Sequence, residues 1–416
     1  MKKHVVHSRK SCRICLEETL VNVFSLKPTP VSDDYTETPQ EMQKFPLNLM
    51  LCPTCAHLQL EHVVAAEGIY EENIYWTKSS PGLKEHFRDY AFSVKQKVSL
   101  NEGLFVDIGC NDGMLLSEFK ALGFRVCGVE PAKNISKYLK DQKLDVVNDY
   151  FSKAVAKKIV DECGTASIIT TNNTFANIDD LHEFLEAVIP LLSPDGYFIV
   201  EAAHAQAMFK TMVFDNIYHE HLNYFSLHSL EKLCNAHDLK LVFFEKVDTK
   251  GGSMRAYFKR TEQAKSVDEV VTRTLREETE IGVHLPETYH RFYEEVNAIG
   301  QALRNRLIAL KQAGKRVVGY GASSTVTTVL HHYEIGDLLE YLVDDNPIKQ
   351  GKFSPGYNLE VHPSTYLMKD HPDVVLIIPW RFEDMIIERN LDYLKSGGTF
   401  LKFMPKLIEV ASDYAG

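Results

Sequence analysis

The run LFVDIGCNDGMLL, residues 104–116, constrains the fold more than any other stretch of this chain. An apolar strand-like segment meets glycines at 109 and 113 and passes directly into a helical pattern. Glycine allows a tight turn and a close backbone approach to a ligand, and the helix start beyond it offers unpaired N–H groups. About 20 residues later, RVCGVEP ends a second strand-like segment on Glu130, where an acid commonly accepts hydrogen bonds from ribose hydroxyls. Tight strand–helix turns also use glycine without any ligand, so the offset of Glu130 carries much of the inference. The pattern predicts a nucleoside-binding half of a doubly wound sheet. The phosphate signature GxGxxG is absent, and Asp107 and Asp112 crowd the turn with negative charge, which disfavours a pyrophosphate. A ligand with a cationic centre and an α-amino group fits better, and S-adenosylmethionine has both.

The same alternation extends in both directions. ASIITT, GYFIVEA and KLVFFEKV read as further strands, with LHEFLEAVIPLL as an intervening helix. Asn172 and Asn173 follow the third strand at its carboxyl end, where open α/β sheets place ligands. Asp179 or Asp180 is placed to cap the helix that starts at Leu181. Beyond this, Phe292, Val296, Ile299, Leu303, Leu307 and Leu310 step by three or four along one helix face, expected to pack as a brace. Strand signals restart with KRVVGYGASS, LLEYLVDDN, DVVLIIPW and GTFLKFMP. Four regions result: 1–75, 76–262, a helical connector 263–313, and a second α/β unit 314–416. The fold class expected is α/β.

Eight cysteines are present. Cys12 and Cys15 (CRIC) and Cys52 and Cys55 (CPTC) form two CxxC knuckles, able together to complete a closed tetrahedral zinc shell. Such a shell has no open position, so the ion is expected to be structural. Cys110, Cys127, Cys163 and Cys234 are single and set in apolar segments, where a thiol behaves as a small hydrophobe. The net charge of −11 argues against a sequence-independent nucleic-acid binder. No apolar run reaches the length that spans a bilayer, and the basic N-terminal residues lack an apolar signal core. A cytoplasmic monomer or small homo-oligomer is the expectation.

NIYHEHLNYF, residues 216–225, is the densest cluster of proton-handling groups. His219 and His221 are two apart, so they do not share a helix face as the histidines of HExxH do. A polar sheet edge is one reading. Proton transfer is the other: histidine titrates near neutral pH and serves as a general base, and tyrosine hydroxyls can hold a developing enolate.

In order along the chain stand CxxC…CxxC, IYWTKSSPGLKEH, VDIGCNDG, GVEP, NNTFANIDDL, IYHEHLNYFS, GGSMR and GYGASS…DDNPIKQGKFSPG. Together they resemble the SAM-dependent sugar C-methyltransferases that act on nucleotide-linked 4-keto-6-deoxyhexoses, over almost the whole chain. The resemblance implies an N-terminal zinc-binding module, a class I Rossmann-like SAM domain and a C-terminal Rossmann-like α/β domain that helps hold a nucleotide-diphosphate sugar. It implies that His221 removes the C-3 proton beside the C-4 ketone, and that Tyr218, Glu220 and Tyr75 complete the catalytic group. Cofactor contacts would come from Asp107, Gly109, Asn111, Gly113, Glu130, Asn172 and Asn173. Arg255 would face the substrate pyrophosphate, and Gly319, Tyr320, Gly321, Lys349 and Lys352 would contact the nucleotide diphosphate. Taken alone, GYGASS with Asp344 and Asp345 also suits an NAD-type site. O- or N-methylation of a nucleotide-sugar, and a catalytically silent zinc module on a SAM fold, are the other readings.

Overall fold

The computed structural model describes residues 5–65, 76–77 and 82–411. Its centre is a seven-stranded sheet. Across the sheet run Leu239–Val247, Ser253–Arg260, Leu192–Ala203, Ala166–Asn172, Leu104–Ile108, Arg125–Val129 and Val146–Val147. Ser253–Arg260 runs antiparallel to both of its neighbours, and the remaining pairings are parallel. Leu104–Ile108 is buried along its whole length, as expected of a strand with helices on both faces. The GGSMR segment was legible only as a motif, yet it opens the antiparallel strand.

A second sheet of six strands runs Val361–His362, Leu342–Val343, Val317–Tyr320, Val374–Ile377, Thr399–Lys402 and Ile408–Val410. The last is antiparallel and the others parallel. In each α/β sheet the strand order reverses beside the first strand, Leu104–Ile108 or Val317–Tyr320. Ligands of doubly wound folds sit outside the carboxyl ends of the strands at that reversal.

The N-terminal sheet is antiparallel: Val21–Thr29, Phe45–Cys52 and His57–Leu60, with Asn223–Tyr224 as a fourth strand. The expected boundary near residue 75 is therefore not a clean cut, because the middle of the chain completes the first module. Helix Pro286–Gln312 joins the pieces. Its buried residues Phe292, Val296, Leu303, Leu307 and Leu310 share one apolar core with Leu47 and Leu49 of the N-terminal sheet and Val317 and Leu376 of the C-terminal one. Gly300 lets this helix approach Tyr333 closely: a Cβ there would lie 2.1 Å from the ring. The Tyr333 hydroxyl donates to the Val296 carbonyl at 3.1 Å.

Asp180 caps helix Leu181–Leu191 by accepting the Glu183 N–H at 2.9 Å. Asp179 has a different task. It accepts from Arg13 Nε at 2.9 Å and Arg9 Nη1 at 3.1 Å, while Arg13 Nη1 donates to the Leu60 carbonyl at 2.7 Å. Arg13 is wholly buried, so this pair locks the N-terminal module onto the central domain. Among the described residues no helix is long and apolar enough to cross a membrane. Breaking a buried pair from one side costs about 3 kcal/mol or more, because a charge is left uncompensated. Asp179→Ala is therefore expected to lower unfolding stability by about that amount, measured by urea denaturation against wild type.

Candidate active site and metal centre

The two CxxC knuckles meet. Cys12 and Cys15 precede the first long strand; Cys52 and Cys55 lie at the turn joining Phe45–Cys52 to His57–Leu60. Cys12 Sγ is 3.5 Å from Cys55 Sγ and Cys15 Sγ is 3.4 Å from Cys52 Sγ. All four sulfurs lie within 4.8 Å of one another. A tetrahedral ion with Zn–S bonds near 2.3 Å separates its sulfurs by roughly 3.8 Å, so the four thiolates fit zinc. The residue after each knuckle, Leu16 or Ala56, has a positive φ, and the Ile14 N–H points at Cys12 Sγ at 3.3 Å. With every position filled by sulfur, the zinc is structural. The single cysteines Cys110, Cys127 and Cys234 are buried, and Cys163 is half-buried.

A cavity of about 1710 Å³ opens where the carboxyl ends of both α/β sheets face each other, and the N-terminal module contributes Asp33 and Tyr35 to its wall. Ordinary small-molecule pockets span roughly 300–1,000 Å³, so this one has room for two ligands.

Its first half is built on the glycine turn. Gly109 has φ 77°, a conformation that favours glycine. Glu130 accepts the N–H of Asn111 at 3.0 Å and of Ala132 at 2.9 Å, tying the two loops together and leaving further lone pairs to accept hydroxyls. Asp107 accepts from Thr170 Oγ1 at 2.7 Å and Asn172 Nδ2 at 3.1 Å. Burial nevertheless raises its carboxyl to about 7, and burial raises Glu130 as well. Asn172 Oδ1 is buried with no partner among the described residues, an acceptor open to a ligand donor. Asn173 also lines the cavity. The side-chain oxygen of Asn111 is taken by the N–H groups of Thr77 and Asp112. Gly113, by contrast, lies off the cavity and serves packing, because a Cβ there would strike Leu139 and Leu144. The carboxylates, the open acceptor and the glycine turn suit S-adenosylmethionine: Asp107 and Asn172 toward its cationic end, Glu130 toward its ribose.

The second half holds the histidine cluster. His221 Nδ1 donates to the Asn216 carbonyl at 2.9 Å, which leaves Nε2 as the acceptor of the Tyr218 hydroxyl at 2.9 Å. Burial, with the positive charge of Lys250, holds its pKa down to about 3, opposed by the Asn216 carbonyl. The imidazole is therefore neutral, with one basic lone pair on the cavity side. Glu220 accepts from Ser32 Oγ at 2.9 Å, and burial raises it to about 7. His219 is buried, with Nε2 3.3 Å from the Phe45 carbonyl, and is no part of the cavity wall.

Arg255 corrects an expectation. It is buried away from the cavity, donating through Nε to Glu201 at 2.9 Å and through Nη1 to Glu245 at 3.0 Å, and stacks over Tyr90 at 3.7 Å. Two carboxylates satisfy the guanidinium, so it does not face a pyrophosphate. Gly319 lies within its strand and packs against Leu342, also off the cavity. Tyr320, Gly321, Lys349 and Lys352 do line it. The lysines arrive with partners, however: Lys349 with Asp33 at 2.6 Å and Lys352 with Glu37 at 3.2 Å. Tyr75 lies outside the described residues. The sequence reading missed Ser32, His86, Glu201, Lys250 and Arg381. Glu201 was signalled, since it lies near the end of GYFIVEA; His86, Lys250 and Arg381 reach the cavity only through tertiary packing, and Ser32 acts through Glu220.

Fold and site define an S-adenosylmethionine-dependent methyltransferase. Family models match three successive segments: a zinc binding domain at residues 12–70, a methyltransferase domain at 84–242 and a C-methyltransferase C-terminal domain at 248–405. C-methyltransferase NovU of Streptomyces niveus is 28% identical over 407 residues, 97% of each chain. Among solved structures, the CcbJ methyltransferase of Streptomyces caelestis is 16% identical, with a TM-score of 0.35, over 44% of this chain and 94% of its own. An S-adenosylmethionine-dependent methyltransferase of Clostridium acetobutylicum is 13% identical, with a TM-score of 0.34, over 42% and 91%. The three matched segments follow one another along the chain, and with the NovU likeness they support a SAM-dependent C-methyltransferase built of these modules.

Metal analysis of the purified protein is expected to find one zinc per chain, with Cys52→Ser losing most of it and melting at lower temperature. A second expectation concerns Asp107. Its carboxyl is mostly neutral below a pH of about 7 and ionised above, and a cationic ligand selects the ionised form. Affinity for S-adenosylmethionine should therefore rise by up to about tenfold between roughly pH 6 and pH 8. In Asp107→Asn that rise should vanish in calorimetric titrations.

Proposed function

We propose that this C-methyltransferase acts at C-3 of a nucleotide-diphosphate-linked 4-keto-6-deoxyhexose, in the making of a branched deoxysugar. The observation that carries this reading is the placement of a neutral histidine, its Nε2 lone pair held by the Tyr218 hydroxyl, in a single cavity between the SAM site and the C-terminal GYG turn. S-adenosylmethionine, when bound, supplies an electrophilic methyl group on a sulfonium centre.

The chain's own residues do the rest. A hydrogen on the carbon beside a ketone is acidic, because the carbanion delocalises onto oxygen as an enolate. The fixed Nδ1–H tautomer leaves His221 Nε2 to take that proton. The Tyr218 hydroxyl that rests on Nε2 turns to the substrate when the sugar enters. Glu220, poised near neutrality, accepts from or donates to a sugar hydroxyl, with Ser32 holding it in place. Tyr75 is assigned to the same group on the family resemblance alone. Burial keeps water from competing for the carbanion. The nucleotide diphosphate lies toward Tyr320 and Gly321, where helix Ser324–His332 points its N-terminus into the cavity. Lys349 and Lys352 flank it and would exchange their carboxylate partners for phosphate oxygens.

The purified protein, given S-adenosylmethionine and either dTDP- or GDP-4-keto-6-deoxyhexose, is expected to add one methyl group to one of them. His221→Ala should lower that rate by about 10²–10⁴-fold, read by product mass. Methyl found on oxygen or nitrogen, with no C-3 hydrogen exchange in deuterated water, would replace this reading with a heteroatom methyltransferase.

A further inference from the structure

Lys250 lines the cavity, and the reading above gives its ammonium no chemistry. Its backbone takes φ 54°, the left-handed region that side-chain-bearing residues seldom adopt and that clusters at functional sites. Three neighbours hold that backbone in place. Asn216 Nδ2 donates to the Lys250 carbonyl at 3.1 Å, Thr211 Oγ1 donates to the Gly251 carbonyl at 2.8 Å, and Ser253 Oγ donates to the Thr249 carbonyl at 3.0 Å. The side chain lines the cavity. No carboxylate lies within ion-pair distance of its ammonium among the described residues, whereas Arg381 is paired with Asp215 at 2.6 Å, Lys349 with Asp33 and Lys352 with Glu37. Lys250 is half-buried, and even partial desolvation of an ammonium without a counter-ion has a cost.

Asn216 also links this cation to the base. Its carbonyl accepts His221 Nδ1–H and its side-chain amide holds Lys250. The electrostatics follow the geometry: burial lowers Lys250 to about 8, with Glu201 opposing and Arg381 assisting, and the Lys250 charge lowers His221 in turn. Unaided, a base beside a cation resists becoming a second cation. The resistance disappears when a negative charge forms between the two.

We propose that Lys250 is a catalytic residue, the electrophile that receives the substrate's carbonyl oxygen as it becomes an enolate oxygen. The proposal rests on the proposed ketone substrate. The C–H bond breaks, its proton goes to His221 Nε2, and its electron pair passes through the new C=C bond onto the oxygen facing the Lys250 ammonium. His221 then acquires its charge only as the enolate acquires the opposite one, which ties proton removal to a correctly seated ketone.

The test uses full-length wild type, Lys250→Met and Lys250→Arg with the 4-keto-6-deoxyhexose nucleotide that the wild type methylates. C-3 hydrogen exchange in deuterated water is followed by NMR with S-adenosylhomocysteine filling the donor site, alongside kcat and KM for methylation. Lys250→Met is expected to lose about 10²–10³-fold in exchange and in kcat, with Lys250→Arg recovering part. Nucleoside diphosphate affinity should stay within about threefold, as for a group that acts in the transition state. Unchanged S-adenosylhomocysteine affinity verifies the fold of each variant. Exchange and kcat kept in Lys250→Met, with KM and the nucleoside diphosphate Kd raised tenfold, would overturn the proposal and make Lys250 a phosphate contact. Wild type that neither exchanges nor methylates any such ketone would instead remove the function on which the proposal stands.

Discussion

The pairing of Asn223–Tyr224 with His57–Leu60 is the contact on which the site depends. Two residues before this short strand stands His221; three residues before its partner strand ends stands His57, whose Nε2 meets Asn223 Oδ1 at 3.0 Å. The partner strand leaves the CPTC knuckle directly, and the Leu60 N–H donates to the Leu222 carbonyl at 2.9 Å. A metal-fixed hairpin thus holds the segment that carries His221. Zinc fixes geometry here without entering the chemistry, and burial of His57, which drives its pKa down to about 3, keeps that joint neutral and dry.

Carboxylates line both sides of the cavity, and the lysines and arginines gather on one. The SAM half is lined by carboxylates, two of them raised by burial, which a cationic ligand would draw into their charged form. The half beside the C-terminal domain carries both signs, with Lys349, Lys352 and Arg381 matched to Asp33, Glu37 and Asp215 from other elements. Such matching leaves cations with exchangeable partners for a polyanion. Arg255 sits outside this logic. Its two carboxylates and the Tyr90 ring make it a brace across the antiparallel edge of the central sheet.

Local signals carried far in the sequence. The strand–turn–helix run at 104–116, the acid at 130 and the two knuckles are each decided within a few residues, so period and turn chemistry expose them. What stayed hidden depends on distance. Arg255 follows Gly-Gly and looks like a ligand contact; its partner Glu201 is 54 residues away. Lys349 and Asp33 are 316 residues apart. Strand Asn223–Tyr224 is too short to show an alternation, and Lys250 gains its meaning from a backbone conformation that no side-chain pattern records.

The borrowed strand also bears on how the molecule is made. His57 and Asn223, which face each other in the N-terminal sheet, are 166 residues apart. Synthesis delivers the knuckles and three strands early, but the sheet's edge stays open until most of the central domain has emerged. Unpaired edges are where nascent chains associate wrongly. Early zinc capture, by pinning the hairpin behind that edge, would act for this protein as a built-in chaperone during the wait.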